Sequence, residues 1–127
     1  MGSRIRAQTD HRGALEILSD TKGVDFGPYL KRLKYVVQNH WDPLIPEVAR
    51  PPIMKRGMLV VEFYIMKDGT IKGMRLIKGS GDTSLDEAAW GALKYSVPLE
   101  KLPIQFTGDY LLLRAAFYYN PDTKEFE

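Results

Sequence analysis

From Met58 to Met66 apolar and polar positions alternate: Leu59, Val61, Phe63 and Ile65 share one face, and Val60, Glu62 and Tyr64 the other. That period of two predicts a strand whose first face meets helices. Asp68-Gly69 follows and supplies the positive-φ position of a tight hairpin turn. The return strand spans Thr70 to Lys78. Ile71 continues the inward set, but Met74 and Leu76 are out of phase with it, so the pattern predicts an extra residue, a β-bulge, near Gly73. Gly79-Ser80-Gly81 ends the strand, and Asp82 or Thr83 is placed to accept hydrogen bonds from the free amides of a helix starting near Ser84. Leu85, Ala88, Ala89, Ala92 and Leu93 form one face of that helix, and its alanines let it lie close to the sheet. It is expected to end before Pro98.

A helical period also runs from Pro28, whose fixed φ suits a first helical position, with Gly27 just before it. Leu30, Leu33, Val37, Trp41 and Leu44 fall on one face, and Lys31, Arg32, Lys34 and Gln38 on the other. Pro43, Pro46 and Pro51-Pro52 stop the helix and make a stiff approach to the hairpin. Upstream, residues 1 to about 13 read as a polar tail, and Leu15-Glu16-Ile17-Leu18 as a short strand or docked loop. Beyond a linker with Pro98, Pro103 and Gly108, alternation returns from Tyr110 to Asn120. Leu111, Leu113, Ala115, Phe117 and Tyr119 point inward there, with Leu112, Arg114, Ala116 and Tyr118 outward.

These elements predict an α+β fold: a three-stranded antiparallel sheet in strand order 2-1-3, with two helices packed on one face. The second strand, helix and last strand form a split β-α-β unit crossing right-handedly over the first strand. The domain is expected over residues 27–121, after a tail at 1–26 with a short strand at 15–18, and before a tail at 122–127. The last strand then lies at an edge with a row of unpaired backbone groups, and neither Pro nor a charge run guards its middle. That edge, Leu111 to Asn120, points to a partner added as a strand. It is otherwise covered by the 15–18 segment or by a second copy of the chain, making a homodimer.

Length and composition narrow the picture without changing it. The chain of 127 residues suits one domain with a real core. Its 18 basic and 16 acidic residues give a net charge of +2, too balanced for a nucleic-acid binder. The absence of Cys excludes disulfides and thiolate chemistry. No apolar run reaches the ~20 residues of a membrane span, and the N-terminus lacks the apolar centre of a signal peptide. Met1-Gly2-Ser3 reads as a cloning remnant, leaving room for a native anchor upstream. His11 and His40 have no Asp, Glu or His at a ligand spacing, so no metal site and no general base is expected. Gly79-Ser80-Gly81-Asp82 lacks the Lys of a phosphate loop and reads as a cap. Among Glu62, Asp86 and Glu87, Asp86 sits in a first helical turn where its charge suits the dipole. Trp41 and Trp90 read as packing residues. No catalytic residue and no cofactor is expected.

The ordered set Gly57, Phe63, Asp68-Gly69, Ser80-Gly81, Leu85-Asp86, Ala88-Ala89, Pro98, Phe117 and Asn120 resembles the C-terminal domain of TonB-like energy transducers, with TolA a close relative. It covers about Pro28 to Asn120. The resemblance implies a non-enzymatic periplasmic domain, carried by an inner-membrane anchor and driven by an ExbB and ExbD type motor. It implies that the last strand receives the TonB box of an outer-membrane receptor during active uptake. The Tyr-Pro pair that precedes the hairpin in such proteins has its nearest counterpart in Trp41-Asp42-Pro43. A TolA-like envelope-integrity role with Pal or TolB type partners is the alternative within the family, and a homodimerising structural module the alternative outside it.

Overall fold

The alternation at 58–66 becomes strand β3 (Gly57–Met66), which turns back into β4 (Ile71–Lys78) in a computed structural model that describes residues 7–122. Gly69 sits at φ +88°, and the Asp68 carboxylate accepts from Thr70 N (3.0 Å) and Thr70 Oγ1 (2.7 Å), which closes the turn. The register of β4 shifts twice against β3. One shift spans Gly73 and Met74, where the phase change asked for a bulge. The other, beside Ile77, leaves Leu76 and Ile77 exposed.

Helix α2 (Thr83–Tyr95) is capped by Asp82, whose Oδ1 accepts from Ser84 N (2.8 Å) and, more weakly, Leu85 N (3.4 Å). Helix α1 (Gly27–Trp41) carries Pro28 in its first turn and buries Leu30, Leu33, Val37 and Trp41. Short 3-10 turns at Asp42–Leu44 and Glu47–Ala49 lead on to β3. Both helices share one core with Leu59, Val61, Phe63 and Ile65 of β3 and with the odd-numbered residues of β5 (Tyr110–Tyr119), from Leu111 to Tyr119.

The sheet has five strands, not three. Its order is β1-β2-β5-β3-β4, with every neighbouring pair antiparallel. The expected neighbours β4, β3 and β5 are retained within it. The added pair is a hairpin of β1 (Ala7–Asp10) and β2 (Gly13–Ile17). Residues 7–10, expected in a polar tail, thus form a strand, and β5, expected at an edge, is interior. Residues 1–6 and 123–127, assigned to tails, lie outside the described residues.

The hairpin forms because its turn and two side chains are provided for locally. Asp10 Oδ1 accepts from Arg12 N (2.8 Å) and Gly13 N (3.1 Å), closing a turn that lacks the usual Asn-Gly or Asp-Gly pair. Leu15 and Ile17 are buried, and each stabilises its position by about 2 kcal/mol. Lys34, expected on the solvated face of α1, instead pairs with Asp10 at 2.7 Å, and Gln38 is half-buried beside it.

Candidate partner-binding strand

β5 pairs with β3 over its whole length, from Gly57↔Tyr119 to Met66↔Tyr110, with no register shift. On its other side it meets β2 from Gly13↔Phe117 to Ile17↔Leu113, again without a shift. The lane is prolonged at both ends, because Tyr118 N donates to Arg12 O (3.0 Å) and Leu18 N to Leu112 O (2.8 Å). Leu112 N donates to Ser19 Oγ (2.9 Å). Antiparallel alternation turns the even-numbered amides of β5 towards this lane and the odd-numbered ones towards β3. Residues 12–19 therefore cover the side of β5 that the sequence pattern left open.

The side chains of Leu111–Asn120 divide by parity. Leu111, Leu113, Ala115, Phe117 and Tyr119 are buried in the core, while Leu112, Ala116 and Tyr118 are half-buried on the opposite face and Arg114 is exposed there. Arg114 donates from Nε (3.1 Å) and Nη2 (2.7 Å) to one oxygen of Glu62, and Arg75 Nη2 donates to the other (2.9 Å). This Arg-Glu-Arg ladder ties β5, β3 and β4 together. Arg114 foremost, aided by Arg75, holds the Glu62 carboxyl below its ordinary range against the opposing effect of burial. Glu16 stands opposite Arg114 on β2. The rings of Tyr64 and Tyr110 meet edge to face at 5.2 Å on these neighbouring strands.

The end of β5 near Asn120 gathers most of the other singled-out residues. Trp41 Nε1 donates to Tyr119 Oη (2.9 Å), which donates to Leu85 O (2.7 Å), so one buried chain links α1, β5 and α2. Burial pushes the Tyr119 phenol up to about 12. Trp41 stacks edge-on against Phe117 and Tyr119. Gly57 lies opposite Tyr119, and a Cβ there would stand 3.1 Å from Leu85 Cδ1. Ser80 N donates to Asp86 Oδ1 (2.9 Å), and the Ser80 hydroxyl is bonded to the Asp82 backbone. Gly81 takes φ +93° beside them. Asn120, at φ +49°, donates from Nδ2 to Ala49 O (2.7 Å) and Lys55 O (2.9 Å), which clamps the 49–55 loop to β5. Pro43 lies in the 3-10 turn after α1. Phe63 and Ala89 are fully buried, and Asp68 and Gly69 sit at the far end of β3.

Sequence reasoning missed the residues that fasten the hairpin. The Arg12 guanidinium pairs with Asp42 and lies 5.1 Å over the Trp41 ring. Asp10 is held below its ordinary value although burial alone would raise it, because its bonds to Lys34, the Arg12 amide and Gln38 outweigh that penalty. The available signal was an Asp three residues before a Gly, at the start of an apolar alternation. His11 lies in the same turn. His40 Nδ1 is within hydrogen-bond distance of Val36 O (2.9 Å) and Ser96 Oγ (3.2 Å).

The fold defines a class: small α+β domains built from a β-hairpin, a capped helix and a long return strand. The chain belongs to the TonB C-terminal domain family, whose model, described as TonB C terminal, matches residues 26–114. As a class these are periplasmic, non-enzymatic domains of energy transducers. The matched range begins after the β1–β2 hairpin, which lies wholly outside it. No curated protein and no solved structure matches the chain. No helix among the described residues is long and apolar enough to cross a membrane.

Proposed function

We propose that this domain is the periplasmic end of a TonB-like energy transducer, and that it grips the TonB box of an outer-membrane receptor as an added strand along Leu111–Asn120. An ExbB and ExbD type motor, reached through an inner-membrane anchor, would supply the pull that drives active uptake. The domain makes and breaks no covalent bond. What supports this reading above all is the regularity of β5, which accepts a strand on each side without a register shift. An added strand gains main-chain hydrogen bonds, each about 1 kcal/mol net, and selectivity from alternate side-chain pockets.

The test is an NMR titration of the labelled domain with N-terminal peptides of outer-membrane receptors from the same genome. Saturable shifts concentrated at the Leu112, Arg114, Ala116 and Tyr118 amides are expected. Shifts confined to other elements would refute β5 as the grip. Silence towards every receptor peptide, with a response to a Pal or TolB type partner, would replace the receptor with the TolA-like role.

A further inference from the structure

We infer that residues 12–19 are a built-in occupant of the partner lane, a latch that a strand-adding partner must displace. The inference rests on the reading of β5 as the grip. The lane is already taken in the free domain, and its occupant sets the side chains a displacing peptide must bring.

Three observations carry it. The family-matched range, 26–114, takes in β3, β4 and the first half of β5 but none of the hairpin, and by the strand order β5 is the open edge once the hairpin is lifted away. Residues 12–19 then cover that edge from Tyr118 to Leu112 by main-chain and Ser19 hydroxyl bonds, as a bound peptide would. Finally, the latch fills the lane with a simple pattern. Gly13 lies where a Cβ would come within 2.4 Å of Ala116 O, while Leu15 and Ile17 are buried two residues apart. A displacing peptide therefore needs two apolar side chains in those two places, and no side chain at the position of Gly13.

The exchange is like for like. A peptide of that pattern restores the backbone bonds and refills both pockets, so displacement leaves no buried group without a partner. Of the latch's remaining ties, the pairs of Asp10 with Lys34 and Arg12 with Asp42 are partly exposed, a class that contributes little, and the Arg12 guanidinium over Trp41 and the long Gln38 bond to Asp10 add modestly to them. Its main advantage is its tether, since a covalently joined strand competes at an effective concentration in the millimolar range. Weakening the latch from outside the lane should therefore tighten partner binding by the factor by which it raises the open fraction.

The test uses the full chain carrying Ala14→Cys and Ala116→Cys, two residues that face each other across β2 and β5 in a protein with no other cysteine. Directly opposed antiparallel residues lie within disulfide reach. Oxidised and reduced forms are titrated with a fluorescent peptide of residues 12–19 and with receptor box peptides. In parallel, Asp10→Ala, whose side chain fastens the turn but lies outside the lane, is compared with the parent chain. Folding of each form is checked by its amide spectrum.

The expected result is binding of both probes to the reduced form, loss of at least about tenfold on oxidation, and tighter binding by about fivefold or more in Asp10→Ala. Equal affinity of the oxidised and reduced forms for the 12–19 peptide would overturn the latch. So would unchanged affinity in a folded Asp10→Ala variant. If the 12–19 peptide behaves as expected while every receptor peptide fails, the latch stands and the receptor reading falls. If receptor peptides bind the locked form as well as the unlocked one, a receptor partner stands, while the latch and β5 as its grip both fall.

Discussion

Tyr119→Phe removes one oxygen from the buried chain that joins α1, β5 and α2, and its cost follows from what is left behind. Leu85 O keeps its helical acceptor role within α2, so the orphan is Trp41 Nε1, on a residue only 2% exposed. A buried donor without an acceptor costs about 1–3 kcal/mol. We therefore expect a loss of about 2 kcal/mol, or roughly 8 °C in Tm for a domain of this size. Urea unfolding followed by Trp fluorescence reads the loss directly. The phenol adds a pH signature. Burial raises its folded pKa to about 12, above the ~10 of an unfolded tyrosine. Stability from the neutral phenol is then complete below pH 10 and is lost as pH rises towards 12. The advantage of the parent over Tyr119→Phe should shrink across that window. Tyr29 is also raised, by burial and then by Glu100, but it contributes equally to both proteins. A stability difference under ~0.5 kcal/mol, or one constant from pH 9 to 12, would refute the claim that this hydroxyl ties the three elements together.

Three further outcomes are expected. Gly69→Val should destabilise by at least about 2 kcal/mol, since it combines positive φ with a Cβ placed 2.1 Å from Leu99 O; an unchanged urea midpoint would contradict the turn. Asn120→Ala should cost about 2 kcal/mol and expose the 49–55 loop to proteolysis, whereas Asn120→Gly, which suits φ +49°, should cost less. Glu62→Gln should flatten the acid limb of stability. The parent's carboxylate is held low, so its contribution is present above the ordinary carboxylate range and lost as pH falls through the depressed value. Equal urea-midpoint losses between pH 6 and pH 3 in parent and variant would dismiss the ladder.

Most of the core was legible because its signals are local and periodic. Leu59 to Ile65 and Leu111 to Tyr119 carry the alternation of half-buried strands, Asp68-Gly69 the turn, and Asp82 the cap. β1 was not legible, and the reason is physical. Ala-Gln-Thr-Asp shows no apolar alternation, because Asp10 is met on the core side by polar Lys34 and Gln38 of α1 rather than by aliphatic side chains. The hairpin turn escaped for a related reason, since a carboxylate closes it in place of the usual glycine-containing pair. Calling β5 an edge followed from both omissions. Lys34 and Gln38 looked solvated on a helical wheel, which cannot show that a strand 24 residues upstream lies against them.

The two sides of the sheet are treated differently, and the difference bears on β5. At the β4 edge, Lys72, Arg75 and Lys78 project from a strand whose register shifts twice, the devices that discourage strand addition. At the other end, β1 offers four described residues. β5 has none of these protections. Its middle is regular in register and apolar apart from Arg114, and that charge is already bound to Glu62. Once uncovered, this strand would be the most receptive edge in the molecule, and it is kept safe by occupation rather than by charge or distortion. Occupation is a form of edge protection that a competing strand can reverse, provided it refills the two core places that Leu15 and Ile17 vacate. A hairpin fastened by two apolar side chains, a cation over Trp41 and partly exposed ion pairs would therefore suit the proposed role, in which β5 stays covered until a partner strand arrives.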